Sequence, residues 1–192
     1  NGGSSNMVHQ LNKRYSIPVT IPNDIPERDG YKFIGWSTDP LATEAQYEPG
    51  DSYTDDKNIN LFAIWEDKEL PIISSVDVST TEYTADGVVI TVNASDNTAK
   101  VYCSFDGGLT WTSSSSITIN ENKTLSAGSI VVRDDKGNRA VYGTDVVISN
   151  IDDIPPKPSD SDVKISVTGS DVRVEFDEAS DELSGVDHYE FV

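Results

Sequence analysis

The chain has 192 residues, 14 of them Lys or Arg and 33 Asp or Glu, for a net charge of -19. So large an acidic excess argues against nucleic acid and anionic membrane surfaces as partners, since both are held by clustered Lys and Arg, and it leaves room for hard cations such as Ca²⁺. Hydrophobic residues make up 36%, below the ~45–50% of typical globular domains, which fits several small β domains better than one deep enzyme core.

In chain order, short runs rich in Val, Ile, Thr, Tyr and Phe alternate with Gly, Asn, Asp and Pro. This is a strand-and-turn signature. It predicts strands at 16–21, 31–36, 59–65, 72–78, 88–93, 100–105, 116–119, 129–133, 140–149, 163–168, 172–176 and 188–192. The fold class expected is mainly β. One short helix is expected at 41–46, where Asp39-Pro40 resembles an N-cap followed by proline at the first helical position. No stretch approaches the ~20 apolar residues of a membrane helix, so no membrane insertion is expected.

Two segments read as boundaries. Glu66-Asp67-Lys68-Glu69-Leu70-Pro71 is charged and closes on proline. Pro155-Pro156-Lys157-Pro158 favours extended polyproline geometry and reads as a spacer of limited flexibility. The division expected is 1–66, 71–150 and 155–192. Ala94-Ser95-Asp96 recurs as Ala179-Ser180-Asp181, about 85 residues on, a period that suits a sandwich-sized unit. The third piece holds too few strands to close a sandwich, and the chain opens on Asn1. A fragment continuing past Val192 is the expectation.

Within 1–66 an Asn1-Gly2-Gly3 turn precedes Gly30-Tyr31-Lys32-Phe33-Ile34-Gly35-Trp36. Tyr47-Glu48-Pro49-Gly50-Asp51 and Leu61-Phe62-Ala63-Ile64-Trp65 follow. The four elements in this order resemble the Listeria–Bacteroides repeat, the B-repeat family of internalin-type surface proteins. The resemblance implies a small β fold related to the ubiquitin-like grasp, and a place in bacterial surface proteins, often adhesins. The family has a strand before the first turn, where this chain begins.

Within 71–150, Ser104-Phe105-Asp106-Gly107-Gly108-Leu109-Thr110-Trp111 and Val131-Val132-Arg133-Asp134-Asp135-Lys136-Gly137-Asn138 resemble two hairpins of bacterial immunoglobulin-like domains. Gly107-Gly108 supplies the positive φ that a tight hairpin needs. Residues 177–189 resemble the opening of another immunoglobulin- or fibronectin-III-like unit.

Trp36 and Trp65 are the candidate ligand-binding residues, as a sugar-stacking platform shared with Trp111; core packing is the more ordinary fate of a strand Trp. Strict alternation places Tyr31 and Phe33 on one face and Ile34 and Trp36 on the other. Asp152 and Asp153 are the candidate metal ligands, for Ca²⁺ at a domain junction, with Asp96, Asp134 or Asp135 completing the cage if loops converge. Solvated turn acids are the plainer reading. No cofactor is otherwise expected. His9 and His188 are isolated, and a zinc site needs clustered ligands. Cys103 cannot form an internal disulfide, and its alternation with Val101 and Phe105 turns it inward as an inert thiol.

Nucleophile, phosphate-loop and dinucleotide motifs are absent from the sequence. The function expected is non-enzymatic: stalk or spacer modules of a bacterial surface or secreted protein, monomeric. The alternative is a module that binds a host or dietary glycan or an extracellular-matrix protein. A third reading is an accessory region of an extracellular polysaccharide-degrading enzyme.

Overall fold

A computed structural model describes residues 10–97, 100–159, 163–187 and 189. The chain is mainly β: the described residues form fourteen strands in several small sheets, with no helix and no closed barrel. It divides into two compact units. The first comprises the chain up to Pro71 with Asp96–Lys100 and Arg133–Arg139; the second holds Ile72–Ser95, Val101–Val132 and the chain from Ala140. The expected Asn1-Gly2-Gly3 turn, His9, His188 and most of the strand at 188–192 lie outside the described residues.

In the first unit β1 (Val19–Thr20) pairs with β3 (Ser52–Tyr53), and β2 (Tyr31–Ser37) pairs with β4 (Phe62–Asp67), both antiparallel. The expected strand at 16–21 starts late for a local reason. Ser16 has a φ of 59°, outside the extended region, and its N–H donates to Asp56 Oδ1 at 2.9 Å. Lys13 Nζ donates to the same oxygen at 2.6 Å and lowers the Asp56 pKa. The turn at Tyr47–Asp51 closes on itself through Asp51 N–H to Glu48 O at 3.1 Å. Among the described residues of this unit, the buried apolar side chains are Ile21, Tyr53 and Ile64.

No helix forms at 41–46. Asp39 Oδ1 does accept from Leu41 N–H at 2.9 Å, as an N-cap would begin. Gln46 and Tyr47 N–H both donate to Trp36 O instead, at 2.8 and 3.0 Å. The segment is thus drawn into an isolated bridge, Trp36 with Tyr47, and six residues are too few to nucleate a helix against that pairing.

In the second unit one three-stranded sheet has the order β5–β6–β8, from β5 (Ile72–Val78), β6 (Val88–Ser95) and β8 (Ser116–Ile119). A further three-stranded sheet has the order β11–β10–β7, from β7 (Val101–Ser104), β10 (Val131–Asp134) and β11 (Arg139–Val141), of which Arg133, Asp134 and Arg139 are grouped with the first unit. β9 (Lys123–Leu125) pairs with β12 (Val146–Ile148). The strand expected at 140–149 is therefore two strands, interrupted around Gly143. β6 alternates strictly through Val88, Ile90 and Val92, and these join Cys103, Ile119, Ile130, Val132 and Ile148 in one apolar core. Cys103 is buried there, and burial pushes its thiol pKa up. The hairpin β13 (Lys164–Thr168) with β14 (Asp171–Glu175) is exposed at every position.

The Gly107-Gly108 hairpin has both glycines at positive φ, 74° and 89°. Asp106 organises it, accepting from Ser104 Oγ at 2.7 Å, Leu109 N–H at 3.0 Å, and Thr110 N–H and Oγ1 at 2.9 and 2.5 Å. The Thr110 and Ser104 donors stabilise the charged carboxylate and lower its pKa to about 2. A carboxyl with a depressed folded pKa stabilises above its unfolded pKa, and that contribution fades as pH falls toward the folded value. Loss of this hairpin contribution is therefore expected between pH ~4 and ~2. A carboxyl titration by NMR should place Asp106 near its low end, and Asp106→Ala should flatten the acid limb of stability. An Asp106 resonance titrating near 4 would sink the assignment.

Candidate functional site

Two constellations carry candidate chemistry, and both belong to the first unit. The first is aromatic. The β2–β4 register pairs Phe33 with Trp65 and Trp36 with Ala63, with an irregularity between Phe33 and Gly35. That bulge overturns strict alternation. The extra residue shifts the pleat by one, so Phe33 and Trp36 come to one side rather than opposite sides. Phe33 stands edge-on to Trp36 at 5.1 Å and to Trp65 at 5.7 Å between ring centroids. Both tryptophans are half-buried, and their indole nitrogens are buried without a hydrogen-bond partner. Trp111 is also half-buried, in the second unit.

The second constellation is acidic. Asp67 ends β4, Asp96 follows β6, and Asp134 ends β10. One carboxylate oxygen of each lies within 4.8 Å of the others. Asp67 is 6% exposed and Asp134 1%. Asp134 is held rigidly: Oδ1 accepts from Lys136 and Asn138 N–H, both at 2.8 Å, and Oδ2 from Asn138 Nδ2 at 2.7 Å. Asn138 Nδ2 also donates to Asp67 O at 3.1 Å. Asp67 Oδ1 accepts from Glu69 N–H at 3.0 Å and from Asn97 Nδ2 at 3.4 Å. Asp67 Oδ2 is buried and has no hydrogen-bond partner.

With the β2–β4 hairpin, the Tyr47–Asp51 turn and the aromatic face placed, the comparison with known families bears on these elements directly. Residues 1–64 match the Listeria-Bacteroides repeat domain. Repeats of this kind are typical of bacterial surface or extracellular proteins. Trp36 thus falls inside the matched repeat, while Trp65 and Asp67 lie just past its last matched residue. No curated protein and no solved structure was found to match the chain.

The candidate ligands read from sequence are only partly brought together. Asp96 and Asp134 do converge, but with Asp67 rather than with Asp152 and Asp153. Asp152, in the second unit, is 8% exposed and spends its oxygens on backbone. Oδ1 accepts from Ile154 N–H at 3.2 Å and Oδ2 from Ser184 N–H at 3.1 Å, with the Ser184 contact lowering its pKa most. Asp153 and Asp135 are exposed. Asp67 was missed because its charged neighbours Glu66, Lys68 and Glu69 read as linker. The available signal was its place two residues after Trp65, still within strand alternation.

Proposed function

We propose that the chain is a run of non-enzymatic structural or adhesion modules from a bacterial surface or secreted protein, serving as a monomeric stalk or spacer. The observation that carries this reading is how the second unit fixes its segment at residues 150–152. Ile151 bridges Thr84 in parallel, with Thr84 N–H donating to Asn150 O at 3.0 Å and Asp152 N–H to Thr84 O at 2.9 Å. Asn122 brackets the same residue, donating to Ile151 O at 2.8 Å and accepting from Ile151 N–H at 2.9 Å. Asn150 Nδ2 donates to Glu82 O at 2.7 Å and to Thr80 O at 3.2 Å. Bonds across a parallel pairing are loaded in shear when the chain is pulled, so they resist together rather than one by one.

The strand orders β5–β6–β8 and β11–β10–β7 support an immunoglobulin-like reading of this unit. They correspond to strands A-B-E and G-F-C of that sandwich. The net charge of -19 opposes self-association. The edge-on packing of Phe33 with Trp36 and Trp65 favours structural use of the rings over an open sugar platform.

A glycan and matrix-protein array should give no saturable hit, and Trp36→Ala and Trp65→Ala should each lower stability by roughly 1–3 kcal/mol through lost packing. A saturable hit abolished by either substitution at unchanged melting temperature would move the binding module ahead. Asn122→Ala should lower the unfolding force in single-molecule pulling, because it strands the Ile151 amide and carbonyl.

A further inference from the structure

We propose that Asp67, Asp96 and Asp134 form a Ca²⁺ site within the first unit. Three carboxylates converge, two of them more than nine-tenths buried. Like charges at such distances repel, and burial removes the water that would screen them. A convergence of this kind is stable when a cation sits within it. The orphan Oδ2 of Asp67 points to the same conclusion independently. It is buried, it has no donor, and the other oxygen of the same carboxylate is already engaged by Glu69 and Asn97. A buried carboxylate oxygen without a donor is uncommon, and a metal ion is one of the few partners that satisfies it.

The donor set selects the ion. All three ligands are hard oxygens, with no His or Cys among them, which fits Ca²⁺ or Mg²⁺ rather than Zn²⁺. Oxygens sharing one Ca²⁺ at ~2.3–2.6 Å lie at most about 5.2 Å apart. The spacing found here, within 4.8 Å, already meets that limit. Mg²⁺ holds its ligands at ~2.0–2.1 Å in strict octahedra and keeps several of its waters, using one or two carboxylates rather than an all-protein cage, so a set of three carboxylates suits Ca²⁺ better. Asp134 is preset by its three donors from Lys136 and Asn138. Asn138 bridges Asp134 to the backbone carbonyl of Asp67 and so fixes two of the three ligands together. Bidentate carboxylates and waters supply the remaining oxygens of a 6–8-coordinate ion.

The test uses the whole chain, stripped with EDTA and titrated with Ca²⁺ by calorimetry and by thermal melting. One equivalent should bind saturably, and the melting temperature should rise with Ca²⁺, because a ligand held only by the native state stabilises it. Asp67→Asn and Asp96→Asn should each abolish the heat and the rise. Asp67→Asn should also melt higher than the parent in EDTA, since a neutral amide relieves the repulsion and offers its N–H to the neighbouring carboxylates. A merely structural aspartate would instead lose stability in both conditions. Asp152→Asn with Asp153→Asn should leave Ca²⁺ binding unchanged. Equal melting temperatures in EDTA and millimolar Ca²⁺, tighter binding of Mg²⁺ than of Ca²⁺, or binding that survives both Asp67→Asn and Asp96→Asn would overturn the proposal.

Discussion

Gly35→Ala should unfold the first unit. Two penalties meet at this position. The backbone holds φ at 138°, where an L side chain is strained. A β-carbon there would also lie 2.5 Å from Ala45 Cβ and 2.7 Å from Tyr47 O. Neither neighbour can swing away, since one is a methyl attached to backbone and the other is backbone. That carbonyl is committed as well, accepting from Trp36 N–H at 2.8 Å. Strain and overpacking together should cost on the order of 3 kcal/mol or more. Gly137→Ala is the control. Gly137 has a φ of 95° but nothing within 4 Å of the added carbon, so it should lose only about 1–2 kcal/mol. Denaturant unfolding followed by tryptophan fluorescence separates the two. Equal losses would show that the close approach to Ala45 and Tyr47 contributes nothing.

The same glycine explains where sequence reading succeeds and where it stops. The expected strands at 72–78 and 116–119 coincide with β5 and β8, because their apolar and β-branched residues carry a local signal that packing does not override. Nothing in Tyr31-Lys32-Phe33-Ile34-Gly35-Trp36 announces a bulge, since a Gly inside a strand has several uses. The register shift between Phe33 and Gly35 depends on the partner strand, and with it goes the face that Trp36 occupies. The two-residue strand β3 and the three-residue β9 leave too short a pattern to read. Asp39-Pro40 is a sound local helix start that loses to the bonds between Trp36 and Tyr47.

The acidic site was legible only in part. Asp96 follows β6 and Asp134 closes β10 just before a turn, settings in which an acid reads as a cation ligand. Which acids join them is a tertiary fact. It depends on Asn138 reaching the carbonyl of Asp67 across 71 residues of sequence. No spacing rule encodes such a pairing, in contrast to a contiguous loop of the EF-hand kind, where the ligands follow one another along the chain. Asp152 accepts from Ile154 and Ser184 N–H groups and does not join the cluster of Asp67, Asp96 and Asp134.

Ile90→Ala should be the most damaging truncation in the second unit. Ile90 is fully buried at the middle of β6, flanked at alternate positions by Val88 and Val92. β6 is the central strand of its sheet, pairing with β5 through Val78 and with β8 through Ile117 at this residue. Its side chain belongs to the core that also contains Val132 of β10 and Ile148 of β12. The backbone around it is pinned on both sides and cannot collapse into the space left behind. The loss then includes the transfer free energy of the removed carbons and most of the cavity cost, about 3–5 kcal/mol. Thr91→Ala, one residue along on the half-buried face, should cost under ~1 kcal/mol. Chemical denaturation at fixed slope gives both values. A loss at Ile90 no larger than at Thr91 would mean that the two sheets do not share a close-packed core. The stalk reading would then lose its mechanical basis, because the segment around Ile151 is anchored on that same core.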